Sequence, residues 1–131
     1  MRYLLDTHIW IWANAAPESL SKKHRELLEN LQSEGEILLS AISLWELCKL
    51  VEKERITLFE DTEAWVKAAL DMAKLRVIPL GFSVFFKSTT LPQPFHNDPA
   101  DQMIVATARM YDATVVTQDR LIRSYRHVKS V

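Results

Sequence analysis

Four carboxylates in this chain stand where a charge is costly to place. Asp6 ends the short apolar run YLL, and Asp119 closes the phrase VVTQD. Asp101 lies in HNDPADQMIVATARM, on one helical stripe with Ile104, Val105 and Ala108, the i, i+3, i+4, i+7 spacing of a core-facing side. Glu46 lies between Trp45 and Leu47 in another apolar helical pattern. A charge buried on such a stripe must be offset by something nearby. Asp101 has no capping duty to explain it, because Asp98 before Pro99 already fills the N-cap position.

Carboxylates gathered within a few ångströms repel one another and hold protons unless a cation joins them. Oxygen donors of this kind suit Mg²⁺ or Mn²⁺, not zinc. The reaction such a set serves best is hydrolysis of a phosphodiester, with water activated at the metal and a second ion about 3.5–4 Å away stabilising the leaving oxygen. Structural alternatives stand beside this reading. Asp6 before THIW and Asp119 before RLIR both fit helix N-caps. Ser43 and Glu46 match a capping box, and Glu46 could instead pair with Lys49. Asp98 is sufficiently explained as a cap, with a place at the rim of the pocket as its other option.

The elements that must position these acids alternate along the chain. RYLL reads as a buried strand ending at Asp6, and IWIW continues as a helix through Ala15, stopped by Pro17. Ser21 caps KKHRELLENLQ, with Leu27, Leu28 and Leu31 on one side and Gly35 closing it. ILLS is a second strand, and Ser43 is the expected cap of the helix SLWELCKLVEKE. Thr62 or Asp61 starts EAWVKAALDMAKL, with Trp65, Ala69 and Met72 or Ala73 inward. RVIPL is a third strand whose Pro79 belongs near a sheet edge. SVFFKSTTL forms a short helix before the loop LPQPFHNDP, and Pro99 opens the helix that carries Asp101. ATVVT is a fourth strand, DRLIRSY a short helix, and HVKSV a last edge strand. The pattern is that of an α/β fold, a mainly parallel central sheet of four or five short strands flanked by helices, with residues 1–131 as one domain. In such a sheet, ligands bind beyond the carboxyl ends of the strands, where Asp6 and Asp119 fall.

Composition narrows the partners. The formal net charge is −1, so any contact with a polyanion must come from a local patch or from metal. Arg120, Arg123, Arg126 and Lys129 supply such a strip next to Asp119, and a solvated surface is the alternative. Cys48 is the only cysteine, which excludes an internal disulfide and fits a reduced, cytoplasmic setting. Beside Leu44 and Val51 it reads as a buried structural thiol. Neither a secretory signal nor a membrane span is expected. His96 reads as a loop histidine and His8 as a packing or capping residue. Trp10, Trp12, Trp45 and Trp65 read as core or dimer contacts. Phe82, Phe85 and Phe86 in GFSVFF make a surface suited to a partner helix or to a second copy.

The phrases LLDTHIWIW, SAISLWELCKLVEKERI, FHNDPADQMIVATA and VVTQD, in that order, resemble the PIN-domain family, most closely its VapC-type toxins of toxin–antitoxin pairs. The likeness runs from Tyr3 to about Tyr125. It implies an Mg²⁺- or Mn²⁺-dependent endoribonuclease that cuts RNA, is silenced by a small VapB-like antitoxin and forms a homodimer. By the same resemblance the metal is held by Asp6, Asp101, Asp119 and Glu46, with Thr117 orienting carboxylates or water through its hydroxyl. Two departures stand out. Glu54 replaces a usual Gly at the end of the third helix, where a side chain tolerates the left-handed conformation badly. Gln102 and Met103 replace a usual Arg-Leu, which removes a cation beside Asp101. The rival readings are a non-catalytic PIN-like module that binds RNA or antitoxin, and a receiver-like α/β fold, which would want adjacent acids after the first strand.

Overall fold

Leu4 and Leu5 are neighbours that face opposite sides of a strand, yet both are fully buried. That requires a sheet covered on both faces, as a parallel sheet is. The computed structural model describes residues 1–71 and 74–131, and shows this arrangement. Strands β1 (Arg2–Leu5), β2 (Glu36–Ser40), β3 (Leu75–Ile78) and β4 (Thr114–Val116) form one parallel sheet in the order β3-β2-β1-β4. Around it, among the described residues, lie α1 (Thr7–Ala15), α2 (Lys22–Glu34), α3 (Ala41–Glu52), α4 (Thr62–Leu70), α5 (Phe82–Thr89), α6 (Pro99–Met110) and α7 (Arg120–Arg123).

Register divides the core. Leu4 pairs with Leu38 and Val115, and these pack with Ile104, Val105 and Ile122 on one face. Leu5 pairs with Leu39 and Val116, and these pack with Ile9, Trp10 and Leu47 on the other. The stripe of α6 that carries Asp101 therefore points into the core with its Ile104, Val105 and Ala108 fully buried. The chain order steps outward from β1 to β3, then jumps back across β1 to β4. Such a reversal opens a crevice beyond the strand ends, here between β1 and β4.

Several sequence expectations change in the folded chain. Strand β2 runs into α3 with no intervening loop, so Ser40 is the N-cap and accepts from the Ile42 N–H. Ser43 sits one turn inside the helix, fully buried, and the proposed capping box with Glu46 does not form. Lys49 pairs with Glu52 at 2.8 Å, not with Glu46. Cys48 is exposed, because the inward stripe of α3 carries Ser43 and Leu47 and the next residue turns away. HVKSV contributes a single bridge, Val115 to Ser130, that covers the outer edge of β4. Asp61 is the cap of α4, and the expectation for Met72 or Ala73 lies outside the described residues.

Glu54 adopts the left-handed conformation, φ 55°. The Arg55 N–H bonds the Leu50 carbonyl at 2.9 Å and the Glu54 N–H bonds that of Val51 at 3.0 Å, the two contacts of a Schellman cap. A side chain pays roughly 1–2 kcal/mol for this conformation, and glycine forfeits roughly 0.5–1 of that through its freer unfolded chain. Glu54→Gly is expected to stabilise the protein by about 0.5–1 kcal/mol, read as a raised urea midpoint at unchanged slope. A lowered midpoint would contradict this account of the cap.

Candidate active site

The crevice between β1 and β4 is closed by hydrogen bonds that also aim its acids. The Asp6 N–H extends the β1–β4 ladder by bonding the Val116 carbonyl at 3.0 Å. Its carboxylate accepts from the Thr7 N–H at 2.8 Å through Oδ1 and from the Thr117 hydroxyl at 2.6 Å through Oδ2. Thr117 Oγ1 in turn accepts from the Asp119 N–H at 2.9 Å. One threonine thus ties the first acid to the loop of the last. On the other side, the Thr7 hydroxyl donates to Glu46 Oε1 and lies 2.7 Å from Ser43 Oγ. That buried contact is the actual task of Ser43, and it brings α3 against the start of α1.

Capping and pocket formation coexist. Asp119 caps α7 through Oδ1 alone, accepting from the Leu121 and Ile122 N–H groups at 2.8 and 3.1 Å. Its second oxygen is left for the crevice. Asp98 caps α6 by accepting from the Asp101 N–H at 3.0 Å, and it stands exposed at the rim. Asp6, Glu46, Asp98, Asp101, Asp119 and Trp12 line one cavity of about 510 Å³. All four acids singled out by their placement in the sequence meet there, with Thr117 buried behind Asp6.

His96 is the residue sequence reading undervalued. Its Nε2 lies 3.1 Å from Asp101 Oδ2, though without the alignment of a hydrogen bond. One donor atom each from His96, Asp101 and Asp119 fall within 4.8 Å of one another, a spacing that could hold a cation. Gln102 Nε2 donates to the His96 carbonyl at 2.9 Å and fixes this loop. The available signal was the placement of His96 two residues before the cap of the acid-bearing helix. His8 is exposed and tilts against Trp12. Trp10 packs edge-on to Trp65 in the core, whereas Trp45 is exposed beneath Lys49.

Electrostatics record the crowding. Burial, then the charges of Asp6, Asp98, Asp119 and Glu46, push the Asp101 carboxyl up to about 8. Burial also raises Asp6, against the opposing hydrogen bond from Thr117, and raises Glu46, with the charges of Asp6 and Asp98 adding to it. A donor set that resists ionisation when bare, and consists of hard oxygens, fits a divalent cation such as Mg²⁺ or Mn²⁺.

The PIN domain family matches residues 3–128, and the chain belongs to that family. It is 36% identical over 128 residues to Ribonuclease VapC22 of Mycobacterium tuberculosis (strain ATCC 25618 / H37Rv), covering 98% of this chain and 95% of that relative. Among solved structures, VapBC2 from Rickettsia felis bound to a DNA fragment from their promoter matches with a TM-score of 0.73 at 21% identity, over 100% of this chain and 98% of that one. FitAcB from Neisseria gonorrhoeae matches with a TM-score of 0.68 at 19% identity, over 98% and 95%. These two likenesses are of fold.

The raised carboxyls set the sign of a pH dependence. A carboxyl held above its unfolded value favours the fold only while protonated, so its contribution is lost as pH rises from about 3.8 toward about 8. In EDTA the thermal midpoint is therefore expected to be lower at pH 8 than at pH 5, and Asp101→Asn should reduce that difference. A midpoint that rises over this interval would contradict the crowding.

Proposed function

We propose that this protein is a metal-dependent endoribonuclease, the toxin of a toxin–antitoxin pair, which hydrolyses RNA phosphodiester bonds. The observation that carries the reading is the convergence of Asp6, Glu46, Asp101 and Asp119 on one cavity at the β1–β4 crevice. Membership of the PIN domain family and the 36% identity to a ribonuclease support it. Asp6, Asp101 and Asp119 hold Mg²⁺ or Mn²⁺, and Glu46 holds the metal or its water. When bound, a divalent cation lowers the pKa of a coordinated water and offsets phosphate charge. Thr117 fixes the Asp6 carboxylate and Thr7 fixes Glu46, so both acids are oriented before substrate arrives. In-line attack of water on phosphorus breaks the bond to the 3′ oxygen, leaving a 5′-phosphate and a 3′-hydroxyl.

Among the described residues no helix is long and apolar enough to cross a membrane. A cytoplasmic setting and a small VapB-like antitoxin belong to the same proposal, supported by solved neighbours that include a toxin–antitoxin complex from Klebsiella pneumoniae. The exposed Phe82, Phe85 and Phe86 of α5 offer a face for the antitoxin or for a homodimer. A non-catalytic binding module is disfavoured, because such a module has no need of four acids in one cavity at the cost of their repulsion.

Asp6→Asn and Asp101→Asn are each expected to lower cleavage of a labelled single-stranded RNA in Mg²⁺ by at least about a hundredfold, with unchanged circular dichroism. Parental cleavage rates in both variants would overturn the assignment.

A further inference from the structure

Four aromatic rings lead away from the acidic cavity in series. His96 lies against Asp101, its ring centroid is 4.5 Å from that of Phe95, Phe95 is 4.6 Å from Tyr125, and Tyr125 is 5.4 Å from His127. The first three of these rings, with Leu121 and Arg126, wall a second cavity of about 440 Å³. Arg126 also belongs to a third cavity of about 460 Å³, whose walls include Arg109, His127 and Lys129. His96, a wall of the aromatic cavity, touches Asp101 of the acidic one, and Arg126 lines both the aromatic cavity and the basic one. Arg109 is held against the His127 carbonyl and Lys129 pairs with Asp112 at 2.7 Å, while Arg126 meets no carboxylate within 4 Å among the described residues. From Asp101 to Arg109 the track follows α6 for about 12 Å, at 1.5 Å per helical residue.

A row of rings bordered by arginines suits an unpaired nucleic acid strand. Bases gain by stacking on aromatic faces, and phosphates gain from arginine, in a manner tolerant of sequence. A peptide from a protein partner could use an apolar groove, but it would have no need of a cation at the seam between two cavities. We propose that single-stranded RNA leaves the cut site along this track, a base entering the cavity between Phe95 and Leu121 and the adjoining phosphates resting on Arg126 and Arg109. The inference rests on the nuclease reading and adds to it a binding path on one side of the scissile bond. It also divides the C-terminal basic strip. Arg126 and Lys129 face the track, whereas Arg123 acts on His24, on the α2 side of the fold.

The test is fluorescence anisotropy of a labelled ten-nucleotide single-stranded RNA with Mg²⁺, in an Asp6→Asn background that keeps the RNA intact. Arg126 is exposed, so Arg126→Glu is expected to fold normally and to weaken binding at least about tenfold. Lys67→Glu on α4 makes the same change in net charge and is expected to alter binding less than about twofold at 0.1 M salt. Phe95→Leu keeps an apolar side chain, loses the ring, and is expected to weaken binding by roughly five- to tenfold, one base stack. Equal weakening by Arg126→Glu and Lys67→Glu, or unchanged binding in both Arg126→Glu and Phe95→Leu, overturns the track and leaves the groove to a protein partner. Absence of cleavage of the same RNA by the parent protein in Mg²⁺ would instead refute the nuclease reading, so the two failures are separate.

Discussion

Mutual repulsion among carboxylates is the constraint around which this molecule is organised. Asp6, Glu46, Asp101 and Asp119 come from four places far apart in the chain and face one cavity. Charges that close in a partly buried site cost the fold several kcal/mol if all are ionised. The protein tolerates them because the rest of the structure is firmly built. Strand β1 is fully buried at Leu4 and Leu5, paired on both sides, and covered above and below. Its end cannot move away from that of β4, so Asp6 stays close to Asp119.

Small hydroxyl residues turn that placement into a defined geometry. Thr117 serves two acids at once, donating to Asp6 and accepting from the Asp119 backbone. Thr7 does the corresponding work on the α3 side, linking Ser43 and Glu46. Glu46 is held through Oε1 alone, whereas Asp6 has both oxygens engaged, Oδ1 by the Thr7 N–H and Oδ2 by the Thr117 hydroxyl. The same economy governs the helix caps: Asp119 caps α7 with one oxygen, and Asp98 relieves Asp101 of capping altogether. In Glu46 and Asp119 structural and chemical roles are thus shared between the two oxygens of one side chain, whereas on α6 they fall to two residues, Asp98 and Asp101.

Much of this was legible in the sequence, for physical reasons. Period and punctuation located the four strands, and the apolar stripe of the last long helix exposed Asp101 as out of place. Asp6 and Asp119 followed from the rule that parallel sheets bind ligands at their carboxyl ends. Glu46 was the least distinct of the four by pattern, because its place between Trp45 and Leu47 flagged it but a helical glutamate near Ser43 and Lys49 has ordinary explanations; the family resemblance added weight to it. The cap of α3 was misplaced because Ser40 and Ser43 are equally good caps locally, and only the direct passage from strand to helix decides between them. Cys48 was misjudged for a related reason, since the inward phase of α3 is set by the contact of Ser43 with Thr7. His96 was undervalued because a loop residue carries no periodicity, and its neighbour Asp101 is visible only in three dimensions.

The central claim is that the cluster stays partly protonated when bare and yields its proton to a divalent cation. Calorimetric titration of the protein with Mn²⁺ at pH 7, repeated in buffers of different ionisation enthalpy, measures this directly. With Asp101 held near 8, binding should release roughly one proton, so the observed heat should change with the buffer, and Asp101→Asn should remove that dependence. Absence of Mn²⁺ heat, or a heat identical across buffers and unaltered in Asp101→Asn, would contradict the account.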